Sequence, residues 1–130
     1  MQELKEQIKE KFAQGRYDEL EQLIKANEKD EINDNDIVTL RYLFPVYKQE
    51  KAAGKQTLFE KAGSMERLLE RYTKLRFYLR RIDFDLMDGG METFYAYVSE
   101  NGISIFELVA AVRYSVVHKD KVLRLIGGNL

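Results

Sequence analysis

Cysteine is absent from the chain, and proline and histidine each occur only once. Without cysteine there is no disulfide, no thiolate metal site and no cysteine nucleophile, and a reducing compartment is the natural setting. With one proline and eight glycines in 130 residues, long stretches can remain helical. Net charge is lacking too, since 21 basic side chains stand against 22 acidic ones. No global field therefore draws the chain to nucleic acid or to an anionic membrane. No apolar run approaches the roughly 20 residues that a membrane span needs. The opening MQELKEQIKEKF is charged throughout and has no apolar centre, so it does not read as a signal peptide. The expected location is cytoplasmic.

What is present is a globular mixture, 45% hydrophobic and 33% charged. The length suits one domain, which buries roughly two thirds of its unfolded surface. The strongest signal is SMERLLERYTKLRFYLRRI, residues 64–82. Met65, Leu68, Tyr72, Leu75, Leu79 and Ile82 alternate steps of three and four, which lines them up along one helix face. Ser64 is placed as the N-cap. The other helices are expected to pack around this central one.

Before it, residues 3–14 carry Leu4, Ile8 and Phe12 at helical spacing, with Gly15 as a stop. Residues 17–27 carry Tyr17, Leu20, Leu23 and Ile24 on one face, so the two segments form a tight antiparallel hairpin. The polar NEKDEINDND, residues 27–36, is a loop whose Asp34 or Asp36 caps the next helix. A metal site at Asp30, Asp34 and Asp36 is the sharper alternative, although no ligand spacing is matched. The helix over 36–53 shows Ile37, Leu40, Phe44 and Tyr47 on one seam with Pro45 inside it. A proline there removes a backbone bond and presses on the carbonyl of Arg41, which predicts a kink or break at Arg41–Phe44. Such a kink opens a ligand groove or merely fits the helix to its neighbour. Residues 55–62 form a short helix after Gly54. KFAQGRYDEL and EKAAGKQTLF superpose with a period of 39, a helix–glycine–helix unit used twice.

FAQGRYDELEQLI resembles the turn between the two helices of a tetratricopeptide repeat. Gly15, Tyr17 and Leu20 fall at that family's offsets for its turn glycine, its aromatic and its small packing residue. The resemblance covers residues 3–27. Leu20 stands where the family has alanine, and the second unit has Gln56 at the aromatic offset. The resemblance implies a helical scaffold whose inner surface binds a peptide or protein.

After the central helix, Gly89 and Gly90 impose a turn. Met91, Phe94, Tyr95 and Val98 mark a further helix, closed by Asn101 and Gly102. Ser104 to Glu107 has the form of a capping box. The helix that follows is the most apolar stretch, and Ile105, Leu108, Val109, Val112 and Val116 are expected in the core. His118 to Lys121 breaks the pattern before a last short helix with Val122, Leu123, Leu125 and Ile126. NGISIFEL (101–108) followed by HKDKVLRLI (118–126) is similar to the helical tails of some bacterial family 2 glycosyltransferases. That resemblance implies an accessory helical module of such an enzyme.

Candidate chemistry is sparse. Counted from Asp83, DFDLMDGG has acids at positions one, three and six and Phe94 at twelve, which fails the calcium-loop pattern. Asp83 and Asp85 form a D-x-D triplet, but no alternating strand–helix pattern surrounds it. Those aspartates are expected to end a helix and face solvent. His118 has no serine–histidine–acid grouping around it. With one histidine, the carboxylates Glu66, Glu70, Asp83 and Glu92 cannot complete a di-iron bundle site. Arg67, Arg71, Lys74, Arg76, Arg80 and Arg81 interleave with Tyr72, Phe77 and Tyr78, a pattern that suits single-stranded nucleic acid. Glu66 and Glu70 dilute it, and an acidic peptide or a partner's carboxylate suits it better. Phe77 and Phe84 lie opposite the seam and are expected to be covered by the C-terminal third, or else to recruit a partner.

The expected fold is therefore all-α, with six to seven helices in stacked antiparallel hairpins (1–62), the central helix (64–82) and a C-terminal helical cover (89–130). The expected role is non-catalytic binding of a protein or peptide, without cofactor or metal, on a surface of Arg41, Tyr42, Arg67, Arg71, Lys74 and Phe77. Homodimerisation is an alternative use of the same seams.

Overall fold

The computed structural model describes residues 2–27, 34–87 and 90–127. It is all-helical there. Eight helices follow in order: α1 (Gln2–Ala13), α2 (Tyr17–Ala26), α3 (Asn35–Ala52), α4 (Leu58–Ala62), α5 (Met65–Asp83), α6 (Glu92–Glu100), α7 (Ile105–Ser115) and α8 (Lys119–Gly127). The count exceeds six to seven because the short α4 and α8 each stand as separate elements, and α8 begins at Lys119, inside the charged run expected to precede it. Contacts gather into two compact units, Met1–Glu70 and Arg71–Leu130, so the boundary falls inside α5.

In the first unit α1 packs on α2, α2 on α3 and α3 on α4. Gly15 makes the first turn at φ +73°, a conformation that strains any side chain. The Arg16 amide then donates to the Lys11 carbonyl at 3.0 Å and closes α1. Ile8, Phe12, Leu20, Ile24, Ile37, Leu40, Phe44 and Tyr47 are buried, as their spacing predicts. Phe59 of α4 sits in the middle of an aromatic cluster. Its ring centroid is 5.2 Å from Phe12, 5.3 Å from Tyr17, 5.2 Å from Phe44 and 4.9 Å from Tyr47, the last pair stacked.

Two acids anchor this unit. Asp34 caps α3, its carboxylate accepting from the amides of Asp36 (2.9 Å) and Ile37 (3.2 Å). Lys5 reaches from α1 to Asp34 at 3.2 Å and Asp36 at 2.8 Å. Burial pushes the Asp34 carboxyl up, but Lys5 and the two amides outweigh it and hold it low. Glu50 was not singled out by its sequence pattern. It is fully buried, and its carboxylate accepts from the first amide of α4, Leu58, at 2.7 Å. Thr57 and Glu60 make a reciprocal cap at the same end. Pro45 does not break α3, which continues for seven residues beyond it. Asp30 lies outside the described residues.

In the second unit the α5 seam continues as expected. Met65 and Leu68 are buried in the first unit, and Tyr72, Leu75, Leu79 and Ile82 in the second. Tyr78 meets Phe94 and Tyr97 of α6 at 6.4 and 5.3 Å. The Tyr97 hydroxyl donates to the Arg71 carbonyl at 3.0 Å. Ser104 caps α7 by accepting from the Glu107 amide at 3.1 Å. Leu108, Val112 and Val116 are buried, but Ile105 and Val109 are 52% and 40% exposed. Glu107, only 1% exposed, takes the place on the buried face that an apolar pattern would assign to them.

Asp83 is likewise a core residue. It is 2% exposed instead of solvating a turn. Its carboxylate accepts from the amides of Val117 (2.8 Å) and His118 (3.0 Å) and from His118 Nδ1 (2.9 Å), and so fixes the α7–α8 junction to the end of α5. Lys121 donates to the Asp83 carbonyl at 2.9 Å and pairs with the Asp85 carboxylate at 3.0 Å. Burial pushes the Asp83 carboxyl up. The Val117 and His118 amides, followed by the His118 ring, outweigh that and hold it below the usual carboxylate range.

A depressed carboxyl stabilises the fold above its unfolded pKa of about 3.9, and this contribution disappears as pH falls through the lower folded value. Asp83→Ala should cost about 2 kcal/mol at neutral pH. Urea denaturation at about pH 7 and about pH 3 checks this, because the gap between wild type and variant must shrink in acid. An equal gap at both pH values would remove Asp83 from this role.

Candidate functional site

The six residues expected to form one surface do not share a common role. Arg41, Tyr42 and Arg67 belong to the first unit, and Arg71, Lys74 and Phe77 to the second. Tyr42 is 41% exposed on α3. Arg67 is exposed, and its amide is the one that Ser64 caps at 3.2 Å. Lys74 is exposed on α5. Arg71 is not a surface charge. Its guanidinium forks onto Glu107 with two bonds of 2.9 Å and reaches the Gly102 carbonyl at 3.4 Å. The two side chains are 9% and 1% exposed, so this pair belongs to the core.

Phe77 leads to a more coherent site. Among the described residues the predicted cover over Phe77 and Phe84 does not form, for they are 55% and 51% exposed. Within the second unit α6 packs against Tyr78, on another side of α5, and Asp83 draws the α7–α8 junction to the helix end. That leaves a groove of about 420 Å³ lined by Thr73, Arg76, Phe77, Arg80, Arg81, Phe84 and Leu86. Leu86 is itself 55% exposed. Among the described residues the lining carries three guanidinium groups and no carboxylate.

Local geometry holds the groove open. Residues 73, 76, 77, 80 and 84 recur every three to four positions and so form the helix face opposite the seam. Arg81 lies over the Phe77 ring at 5.5 Å and donates to the Leu86 carbonyl at 2.5 Å, which fixes the chain after α5 along the rim. Arg76 lies over Tyr72 at 5.4 Å, and its Nε is buried with no hydrogen-bond partner. Arg80 is exposed at the rim. Such a surface takes an apolar group flanked by carboxylates. Arg76, Arg80, Arg81 and Phe77 stood in the basic–aromatic run of the sequence. Leu86 lies past the helix and outside every periodic pattern.

Other chemistry does not assemble. Among the described residues no three metal-ligating side chains gather, and no helix is long and apolar enough to cross a membrane. The D-x-D aspartates serve the fold, Asp83 through amides and Asp85 through Lys121. The Asp83 carboxylate accepts a hydrogen bond from His118 Nδ1, and among the described residues no serine or threonine is paired with the half-exposed ring. Compared with family models, curated proteins and solved structures, the chain matches none of them.

Removing one partner of a buried ion pair leaves the other charge stranded. Arg71→Met should therefore cost about 3 kcal/mol or more, while Arg71→Met with Glu107→Met should recover most of that loss. Chemical denaturation of both single variants and the double variant measures the coupling. Additive single costs would show that the fork contributes nothing beyond its parts.

Proposed function

We propose that the chain is a non-catalytic interaction module that binds a protein segment presenting apolar side chains flanked by acidic ones. The observation that carries this reading is the exposure of Phe77, Phe84 and Leu86 in one groove whose charged lining, among the described residues, is Arg76, Arg80 and Arg81. Neighbouring apolar side chains left in water on an otherwise charged helix face favour a partner that covers them. The arginines select its charge, because a guanidinium recognises a carboxylate through paired bonds. An amphipathic helix with anchors two turns apart fits this pattern, since Phe77 on α5 and Phe84 just past its end are seven residues apart. The even charge balance of the whole chain makes this a local preference. It also argues against nucleic acid, which asks for a broader basic field. The hairpin resemblance of residues 3–27 agrees with a binding role in the cytoplasm. An accessory module of a sugar-processing enzyme is a second reading, and it rests on the C-terminal resemblance alone.

The test is an NMR titration with a designed helical peptide bearing Leu anchors among Glu residues, beside the same peptide with Lys in place of Glu. The acidic peptide should shift the amides of Phe77, Arg80 and Phe84. Phe77→Ala with Arg80→Glu should weaken it about tenfold or more while changing stability by less than about 0.5 kcal/mol. Equal binding of both peptides, or of neither, would refute the reading. Concentration-dependent dimerisation abolished by Phe77→Asp would assign the groove to a second copy of the chain.

A further inference from the structure

A second cleft lies in the first unit and is independent of the α5 groove. It has a volume of about 250 Å³ and lies between α2 and α3, at the proline whose effect on α3 was in question. Glu21, Ile24 and Lys25 line it from α2, and Arg41, Phe44, Pro45 and Lys48 from α3. Two features distinguish it from an ordinary seam between helices.

The first is Arg41. Its Nε and Nη2 are buried and, among the described residues, have no hydrogen-bond partner. Two guanidinium nitrogens that lose water without gaining acceptors are costly, even though Arg41 as a whole is only partly buried. The second is the local charge. Among the described residues that line it, Arg41, Lys25 and Lys48 face one acid, Glu21, which already pairs with Lys48 at 2.6 Å and Lys25 at 3.9 Å. The cleft thus keeps an excess of positive charge. Its remaining walls, Ile24, Phe44 and Pro45, are apolar.

We infer that this cleft binds a carboxylate attached to an apolar side chain, such as the C-terminal carboxylate of a peptide ending in a hydrophobic residue. The carboxylate supplies the acceptors that Arg41 lacks, with Lys25 and Lys48 adding charge. The apolar side chain lies against Ile24, Phe44 and Pro45. The volume lies below the roughly 300–1,000 Å³ of pockets that enclose drug-sized ligands, so the cleft holds one terminal residue and no more. Free phosphate offers oxygens without the apolar part and should bind more weakly.

The probe is N-acetylphenylalanine, with N-acetylphenylalaninamide and inorganic phosphate as comparisons, in amide-shift titrations of the full chain. N-acetylphenylalanine should shift the amides of Ile24, Arg41 and Phe44. The neutral amide should bind about tenfold more weakly, as should N-acetylphenylalanine to Arg41→Gln. Lys48→Glu changes an exposed residue and should also weaken binding, so the inference stays testable if Arg41→Gln fails to fold. Equal affinity for acid and amide, preference for phosphate, or no shift at these positions would overturn it. The α5 groove is probed by other peptides and read at other amides, so either proposal can fail alone.

Discussion

Burial of the α5 seam is the constraint on which the rest depends. Six side chains from Met65 to Ile82 leave water along one line of a single helix. Each contributes about 2 kcal/mol on transfer, more than any surface pair can supply. That line fixes the rotation of α5. With its rotation set, the face bearing Arg76, Phe77, Arg80 and Phe84 has to point away from the core. The groove is thus the reverse side of the same periodicity that builds the hydrophobic interior.

Buried carboxylates do the second part of the organising. Glu50, Asp83 and Glu107 are each almost fully buried, and each meets backbone or guanidinium donors. Amides at helix starts lack partners within their own helix, so a carboxylate from elsewhere in the chain can serve as a distant cap. In this way Glu50 locates α4 and Asp83 locates the α7–α8 junction. Glu107 lets the polar Arg71 sit inside α5 at little cost. Where such a partner is missing, as at Arg41, the same principle points outward to a ligand.

Much of the architecture was legible in the residues themselves. Ser64, Asp34 and Ser104 cap the helices that their positions announced. The buried faces of α1, α2, α3 and α5 follow the three–four spacing of their apolar residues. The α7 face departs from its apolar spacing because Glu107 counts as polar in any pattern, although its partner, 36 positions away, makes it a core residue. Arg71 reads as a surface charge in the sequence for the same reason. The basic–aromatic character of α5 was visible, but the role of Leu86 was not, since it follows the helix and carries no periodic signal.

The sequence by itself determined the all-helical class, the position of most helices, their caps and the amphipathic division of α5. These are local properties, set by side-chain spacing within a few turns and by the demands of backbone donors at helix ends. Only the tertiary structure decided which charges are internal and which are open. Arg71 and Arg76 occupy similar stretches of one helix, yet Arg71 closes a core pair while Arg76 lines a groove. The difference lies in what the chain brings alongside them, Glu107 in one case and an uncovered face in the other. A carboxylate's reach across 36 residues depends on packing, and packing is not encoded in the spacing of either helix alone.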